Sequence, residues 1–221
     1  FYLSERSQAL DEVVIQTDIE KINIKSTQMS VNKLTSKTIK QIPVVLGESD
    51  IIKSIILLPG VTSAGEGASG FNVRGGAADQ NLILLDEAIV FNSSHVFGFF
   101  SVFNPDVIKD VKLFKGGIPS KYGGRLSSVF ELNTKSPEKL QPRGEVSVGP
   151  VTFNAFVTSP IVKERSGISV GVRGAYADWV FRSIQQPKLK DTKASFYDVH
   201  LKHQTKLGKN ADLTSSYYQA H

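Results

Sequence analysis

The stretch that most constrains this chain runs from Phe71 to Lys135, where short apolar runs are cut repeatedly by paired glycines. Gly75-Gly76, Gly116-Gly117 and Gly123-Gly124 mark places where the backbone needs a positive φ or an approach that a Cβ would block. Between the first two pairs, Leu82, Leu84, Ala88, Val90 and Phe91 read as a buried strand or hairpin turning about Asp86-Glu87. Asn104 followed by Pro105 is an N-cap and first-turn pair, so 106–111 is expected to form a helical turn. Val111, Leu113 and Phe114 then begin a strand that stops at Gly116-Gly117. The expectation is a small α/β unit with tight corners.

Upstream, a short strand is expected at Gln28 to Val31 and a helical turn from Ser36 to Gln41, with Pro43 breaking the pattern. Ile51, Ile52, Ile55, Ile56 and Leu57 fall at the spacing of one helix face, with Ser49 or Asp50 as N-cap and Pro59-Gly60 as the stop. Downstream, Pro137 and its charged neighbours mark a linker, and a different pattern starts at Arg143. In "ISVGVRGAY" the residues Ile168, Val170, Val172 and Tyr176 oppose Ser169, Gly171 and Arg173. In "FYDVHLKHQ" the residues Tyr197, Val199 and Leu201 oppose Asp198, His200 and Lys202. This is the apolar-out, polar-in alternation of a barrel wall. "GEVSVGPVTFNAFV" reads as one strand whose alternation changes register at Gly149-Pro150, so a bulge is expected there. "ADLTSSYYQ" is a fourth strand after a Lys206 to Asn210 turn. Four strands cannot close, and open edges in lipid leave backbone groups unsatisfied. The chain, which opens at Phe1 with neither a methionine nor a signal peptide, therefore reads as part of a larger precursor.

Composition narrows the function classes. The net charge is +5, yet the basic residues are scattered among acids and form no stripe, which argues against nucleic acid as a partner. The absence of cysteine excludes disulfides, thiolate metal sites and Cys nucleophiles. No run of 18 apolar residues exists, which excludes a transmembrane helix but not a barrel of spanning strands. A formal G-x-G-x-x-G at Gly65, Gly67 and Gly70 follows a helix and precedes a strand, the reverse of a dinucleotide loop. It reads instead as a mobile surface loop. Ser93, Ser94 and His95 are adjacent in an extended segment, where side chains alternate in direction, and no nucleophile elbow appears. No catalytic residue, cofactor or metal site is expected, since His95, His200, His203 and His221 lack convincing partners for one. The chain is not expected to be an enzyme.

Five pieces then fall in a telling order: the "RGG" step after Val73, "LLDEAIVFN", "FNPDVIKDVKLFKGG", "KYGGR" and "VFELNTK". Together they resemble the plug domain of TonB-dependent outer-membrane receptors, most closely the Bacteroidetes-type form. The resemblance covers roughly Leu10 to His221 and is strongest between Asp50 and Lys135. It implies an α/β plug domain followed by antiparallel strands of a transmembrane β-barrel, the barrel incomplete. The division is an N-terminal segment with TonB box and linker at 1–27, a plug at 28–138 and the first barrel strands at 139–221. Phe1 to Ala9 is similar to the end of the small β-sandwich that often precedes such plugs.

The resemblance also assigns roles. Asp11, Glu12, Val13, Val14 and Ile15 stand where the TonB box lies, and a β-branched run there suits addition as a strand to a partner's sheet edge. Taken alone, the same residues fit an ordinary edge strand. Arg74 and Lys115 match the basic residues that lock plug to barrel, with acidic partners beyond His221; solvated surface charge is the other reading. Ser63, Glu66, Ser69, Asn92, Ser93 and His95 are the ligand-contact candidates. The function implied is ligand uptake gated by the plug and powered through TonB, in the Gram-negative outer membrane with the N-terminus periplasmic. The alternative is a receptor-like barrel acting as a sensor or structural subunit. Implied partners are the periplasmic domain of TonB, a ligand of unnamed class, outer-membrane lipid, and a surface lipoprotein or other outer-membrane subunit.

Overall fold

The computed structural model describes residues 30–42, 49–65, 70–95, 98, 100–176, 178–179, 195–208 and 210–221. Asp11 to Ile15, Glu66 and Ser69 lie outside the described residues.

The chain enters as β1 (Val31–Thr35) and turns directly into α1 (Ser36–Gln41). Thr35 makes that junction, its Oγ1 accepting the Thr38 amide at 3.3 Å in an N-cap. The strand therefore continues past Val31, where the sequence expectation ended it. A second helix, α2 (Ile51–Ile56), starts at Asp50, whose Oδ1 accepts the Lys53 amide at 3.0 Å. Ile51, Ile52 and Ile55 are buried on one face, but Leu57 falls past the helix end and is 68% exposed, contrary to its place in the expected apolar stripe.

Next come β2 (Val61–Ser63), β3 (Phe71–Val73), a 3₁₀ turn (Ala78–Gln80) and β4 (Asn81–Leu85). The hairpin about Asp86-Glu87 forms as expected, with β5 (Ala88–Ile89) returning against β4. Both turn residues take positive φ, 46° and 72°, as a two-residue hairpin loop of the primed type demands. Its outer residues are not buried, however: Ala88 is exposed and Phe91 is 85% exposed. Then follow β6 (Ser94–His95), β7 (Phe100–Ser101), β8 (Ile108–Phe114) and β9 (Ser128–Thr134).

Asn104 caps a turn rather than a helix. Its Oδ1 accepts the Asp106 amide at 2.9 Å, and β8 begins at Ile108, three residues before the expected start. The β-branched pair Val107 and Ile108 is buried beneath the sheet, and that packing outweighs the helical start signal.

Strands β1, β8, β9, β4 and β5 form one sheet in that order, antiparallel except for the parallel β9–β4 pair. One face carries the main core, with Ile39, Ile51, Ile55, Phe71, Phe103 and Phe130 among its buried residues. Leu82, Leu84, Phe114 and Val129 form a smaller cluster on the other face. The glycine pairs behave as the corners require: Gly75, Gly117 and Gly124 have positive φ, and a Cβ on Gly76 would overlap Ser127.

The remaining residues form a five-stranded antiparallel sheet: β10 (Arg143–Val148), β11 (Thr152–Val162), β12 (Ser166–Tyr176), β13 (Ser195–Lys206) and β14 (Asp212–Ala220). Five strands replace the four expected, because Gly149-Pro150 is a tight turn between β10 and β11 and not a bulge within one strand. The Gly149 amide donates to Thr152 O at 2.8 Å, and Val148 pairs with Phe153. A register shift does occur, but between Pro160 and Val162. The plug with a partial, unclosed barrel wall is thus the architecture. No described helix is long and apolar enough to cross a membrane.

Candidate functional site at the seam between plug and wall

The wall strands bury their polar face. On β12, Ser169 and Arg173 are buried while Ile168, Val170 and Val172 on the opposite face are partly exposed. On β13, Asp198, His200 and Lys202 are buried, whereas Tyr197 and Leu201 are exposed. This inverts the pattern of a water-soluble sheet. The apolar side is the one left open, and the polar side packs against the plug.

Two buried charged centres form the seam. The upper one is organised by Arg173, which stands directly across from Asp198 in the β12–β13 register. Its guanidinium bonds Asp198 through Nε at 2.7 Å and through Nη2, and Nη2 also donates to Ser101 O of the plug at 2.6 Å. Nη1 reaches Phe103 O at 3.4 Å. The other Asp198 oxygen lies 2.6 Å from His95 Nε2 of the plug, whose ring stacks on Phe196. Tyr218 of β14 completes the grip, its hydroxyl donating to Val102 O at 2.7 Å. A fork with several donors suits this task, since one side chain binds a carboxylate and backbone carbonyls at once.

The lower centre holds the hairpin tip. Asp86 accepts Lys202 Nζ at 3.1 Å on both oxygens and the Ser216 hydroxyl at 3.1 Å, with His200 Nε2 at 3.8 Å. Within the plug it accepts the Thr134 hydroxyl at 2.5 Å and the Thr134 amide at 3.0 Å. Burial by itself would raise the Asp86 carboxyl. His200, the two Thr134 bonds and the Lys202 charge oppose it, and hold the group well below the usual carboxylate range.

Smaller features fit the two surfaces together. Gly171 faces Val107 so closely that a Cβ there would overlap it, and Gly167 similarly faces the Glu138 carbonyl. At the first wall strand, Glu145 meets Lys40 at 3.3 Å and Lys135 at 3.6 Å. Lys40 also pairs with Asp106 at 2.5 Å. Its burial lowers the ammonium pKa, but the Asp106 and Glu145 charges more than reverse that and raise it.

The residues singled out in the sequence separate. Arg74 and Lys115 sit together at the end of the plug away from these strands, where Arg74 Nη2 donates to Ser30 Oγ at 3.0 Å and Lys115 Nζ to Pro59 O at 2.8 Å. Partial burial and the Arg74 charge both lower the Lys115 pKa. Ser63 shares a cavity of about 130 Å³ with Asp50, Ser94 and Ser101. Asn92 and Ser93 border a different one of about 340 Å³ beside Phe91 and Arg125. His95 points into the seam. The seam residues Asp86, Arg173, Lys202 and Tyr218 carried no assigned role in the sequence, although two of them, Arg173 and Lys202, were visible on the polar side of an alternating strand.

Against this geometry the comparisons with known proteins are direct. A family profile described as the TonB-dependent Receptor Plug Domain matches residues 23–128. Those residues, just under half of the chain, match that plug family. Among solved structures it is similar to the siderophore receptor PirA from Acinetobacter baumannii, with TM-score 0.61 and 17% identity over 91% of this chain and 33% of that one. It is likewise similar to the alcaligin outer-membrane receptor FauA from Bordetella pertussis, with TM-score 0.62 and 16% identity over 88% of this chain and 32% of that one. The ferric enterobactin receptor PfeA from Pseudomonas aeruginosa gives TM-score 0.60 at 16% identity, over 86% of this chain and 33% of that one. The chain thus spans about a third of the length of the receptors it matches. No curated protein matches it in sequence. The plug and five wall strands are joined by the seam just described.

Proposed function

We propose that the protein is a TonB-dependent transporter of the outer membrane, in which the plug closes the barrel lumen, ligand binds from outside and TonB supplies the energy for uptake. The single observation that carries this reading is the seam: buried ion pairs and hydrogen bonds hold the plug to the wall, beside apolar contacts such as Phe100 on Phe196. A seam of that kind keeps the plug seated at rest. Its polar groups can also be taken over by water when it parts.

The orientation follows from the connections. In barrels of this kind periplasmic turns are short and extracellular loops longer. The turns at 163–165 and 207–211 are short, and the β12–β13 connection, 177–194, is long. The turns at 163–165 and 207–211, the linker at 137–142 and the N-terminal segment are therefore assigned to the periplasm, the tight turn at Gly149-Pro150 and the 177–194 connection to the outside, and the outward band of Val157, Val170, Val199 and Leu201 to lipid. Arg74 and Lys115, at the far end of the plug, are assigned to locking contacts with the part of the wall that the five strands do not form. Asn92 and Ser63 are exposed at the cavities they border and are assigned to ligand contact, whereas Ser93 is buried. Binding at His95 would have to compete with Asp198.

The test is binding of a peptide spanning Gln8 to Ile19 to the periplasmic C-terminal domain of the cognate TonB, beside the same peptide with Val14→Pro. Strand addition needs a backbone donor that proline lacks. The expected result is binding by the first and loss in the second. Binding by neither removes the energy coupling from this reading.

A further inference from the structure

Ser101 is held from both sides of its peptide backbone. Its carbonyl accepts Arg173 Nη2 of the wall at 2.6 Å, and its amide donates to Asp50 Oδ2 of the plug at 2.9 Å. Asp50 is the N-cap of α2, and its other oxygen takes the Lys53 amide at 3.0 Å. One carboxylate thus divides its two oxygens between a wall-held hairpin and a helix start. The β6–β7 hairpin is also anchored by His95 on Asp198, which is bonded to the same arginine, by Phe100 against Phe196, and just past its end by Tyr218 on Val102 O.

We propose that Asp50 is a positioning residue that couples the seating of the β6–β7 hairpin on the wall to the capping of α2. When Arg173 holds Ser101 in place, Ser101 N–H fixes the rotamer of Asp50, and Asp50 Oδ1 is aligned on Lys53 N–H. When the hairpin leaves the wall, Ser101 moves, the carboxylate is free to turn, and the first turn of α2 loses its cap. Hydrogen bonds in such a chain also polarise one another, so each is stronger while the others are made. The path runs through three named contacts, Arg173 to Ser101, Ser101 to Asp50 and Asp50 to Lys53, and needs no change elsewhere in the sheet. Its use in transport rests on the reading above, because α2 follows the N-terminal segment assigned to TonB while the hairpin follows the ligand-contact candidates. The coupling itself does not rest on it.

The experiment compares amide hydrogen exchange in the full-length receptor and its Arg173→Gln variant, without ligand or TonB. Loss of a cap contribution of typical size corresponds to about fivefold faster exchange at the Lys53 amide, which lies in the first turn of the plug helix. Exchange at Leu84 and Phe130, in the plug core, is expected to be unchanged. Because coupling is reciprocal, Asp50→Asn is expected to shift the imidazole nitrogen resonances of His95, a residue it does not contact. Asp50→Asn keeps an oxygen for the cap, so the helix itself persists. If Arg173→Gln fails to insert, the Asp50→Asn resonances alone decide. Unchanged Lys53 exchange in Arg173→Gln, or an unmoved His95 signal in Asp50→Asn, overturns the proposal. Both readouts are independent of the TonB peptide, so either reading can fail without the other.

Discussion

Asp86 stands at a hairpin tip, in a left-handed backbone conformation, with its carboxylate pressed against a wall lysine 116 residues further along the chain. A charge in that position is costly unless every lone pair is used, and here Lys202, Ser216 and Thr134 use them. Replacing Asp86 by Asn keeps the shape but leaves Lys202 buried without its counter-charge. The expected cost is about 3–5 kcal/mol in plug seating, read as protease cleavage of the plug in receptor that still folds its barrel. The pH dependence has a definite sign. The folded-state value is depressed, so the contribution of Asp86 is fully present above its unfolded value of about 3.9 and is lost as pH falls through the lower folded value. Between pH 7 and pH 5 the Asp86 contact is therefore expected to hold, and protease resistance of the plug measured across that range checks it. Next to it, Glu87 has φ of 72° without the freedom of glycine. Glu87→Gly creates the favoured Asp-Gly turn and is expected to raise thermal stability by up to about 1 kcal/mol.

Among the elements, the wall strands were the most legible in sequence. Period-two alternation gives both their existence and their faces, and Ser169, Arg173, Asp198 and Lys202 all point as that alternation requires. The turn at Gly149 was not legible as a turn, because Val146 and Val148 alternate on one side of it and Phe153 and Val157 on the other. A tight turn and a bulge both appear as one break in that rhythm. Asn104 illustrates the converse: its capping chemistry was read correctly, but a cap closes a single turn as readily as it starts a helix. Strand packing at Val107 and Ile108 decided between them. The tight approach of β12 to that turn gives an element-scale prediction. A Cβ on Gly171 overlaps Val107, so Gly171→Val is expected to leave the wall strands formed and to displace the 104–107 turn. A crosslink assay between plug and wall, with wild-type yield as reference, checks it.

For the whole molecule, the plug pattern and the polar inner face were visible in the sequence, while the way they meet was not. Each seam contact joins residues that a single chain cannot show to be neighbours: Arg173 with Ser101, Tyr218 with Val102, Lys202 with Asp86. Arg74 and Lys115 carried the only locking signal the motifs offered, and they occupy the other end of the plug. The outer face has its own expectation at this scale. Val170 is assigned to lipid, so Val170→Arg is expected to cost about 2–4 kcal/mol in barrel folding into vesicles if it lies near the midplane, and less towards either interface. The inner and outer faces are interleaved residue by residue along β12 and β13. Inserting one residue in the middle of either strand would turn Arg173 or Lys202 towards lipid and bring a valine to the plug. Natural variation in strand length is therefore expected to come in steps of two, while the connection between β12 and β13 can lengthen or shorten by any number.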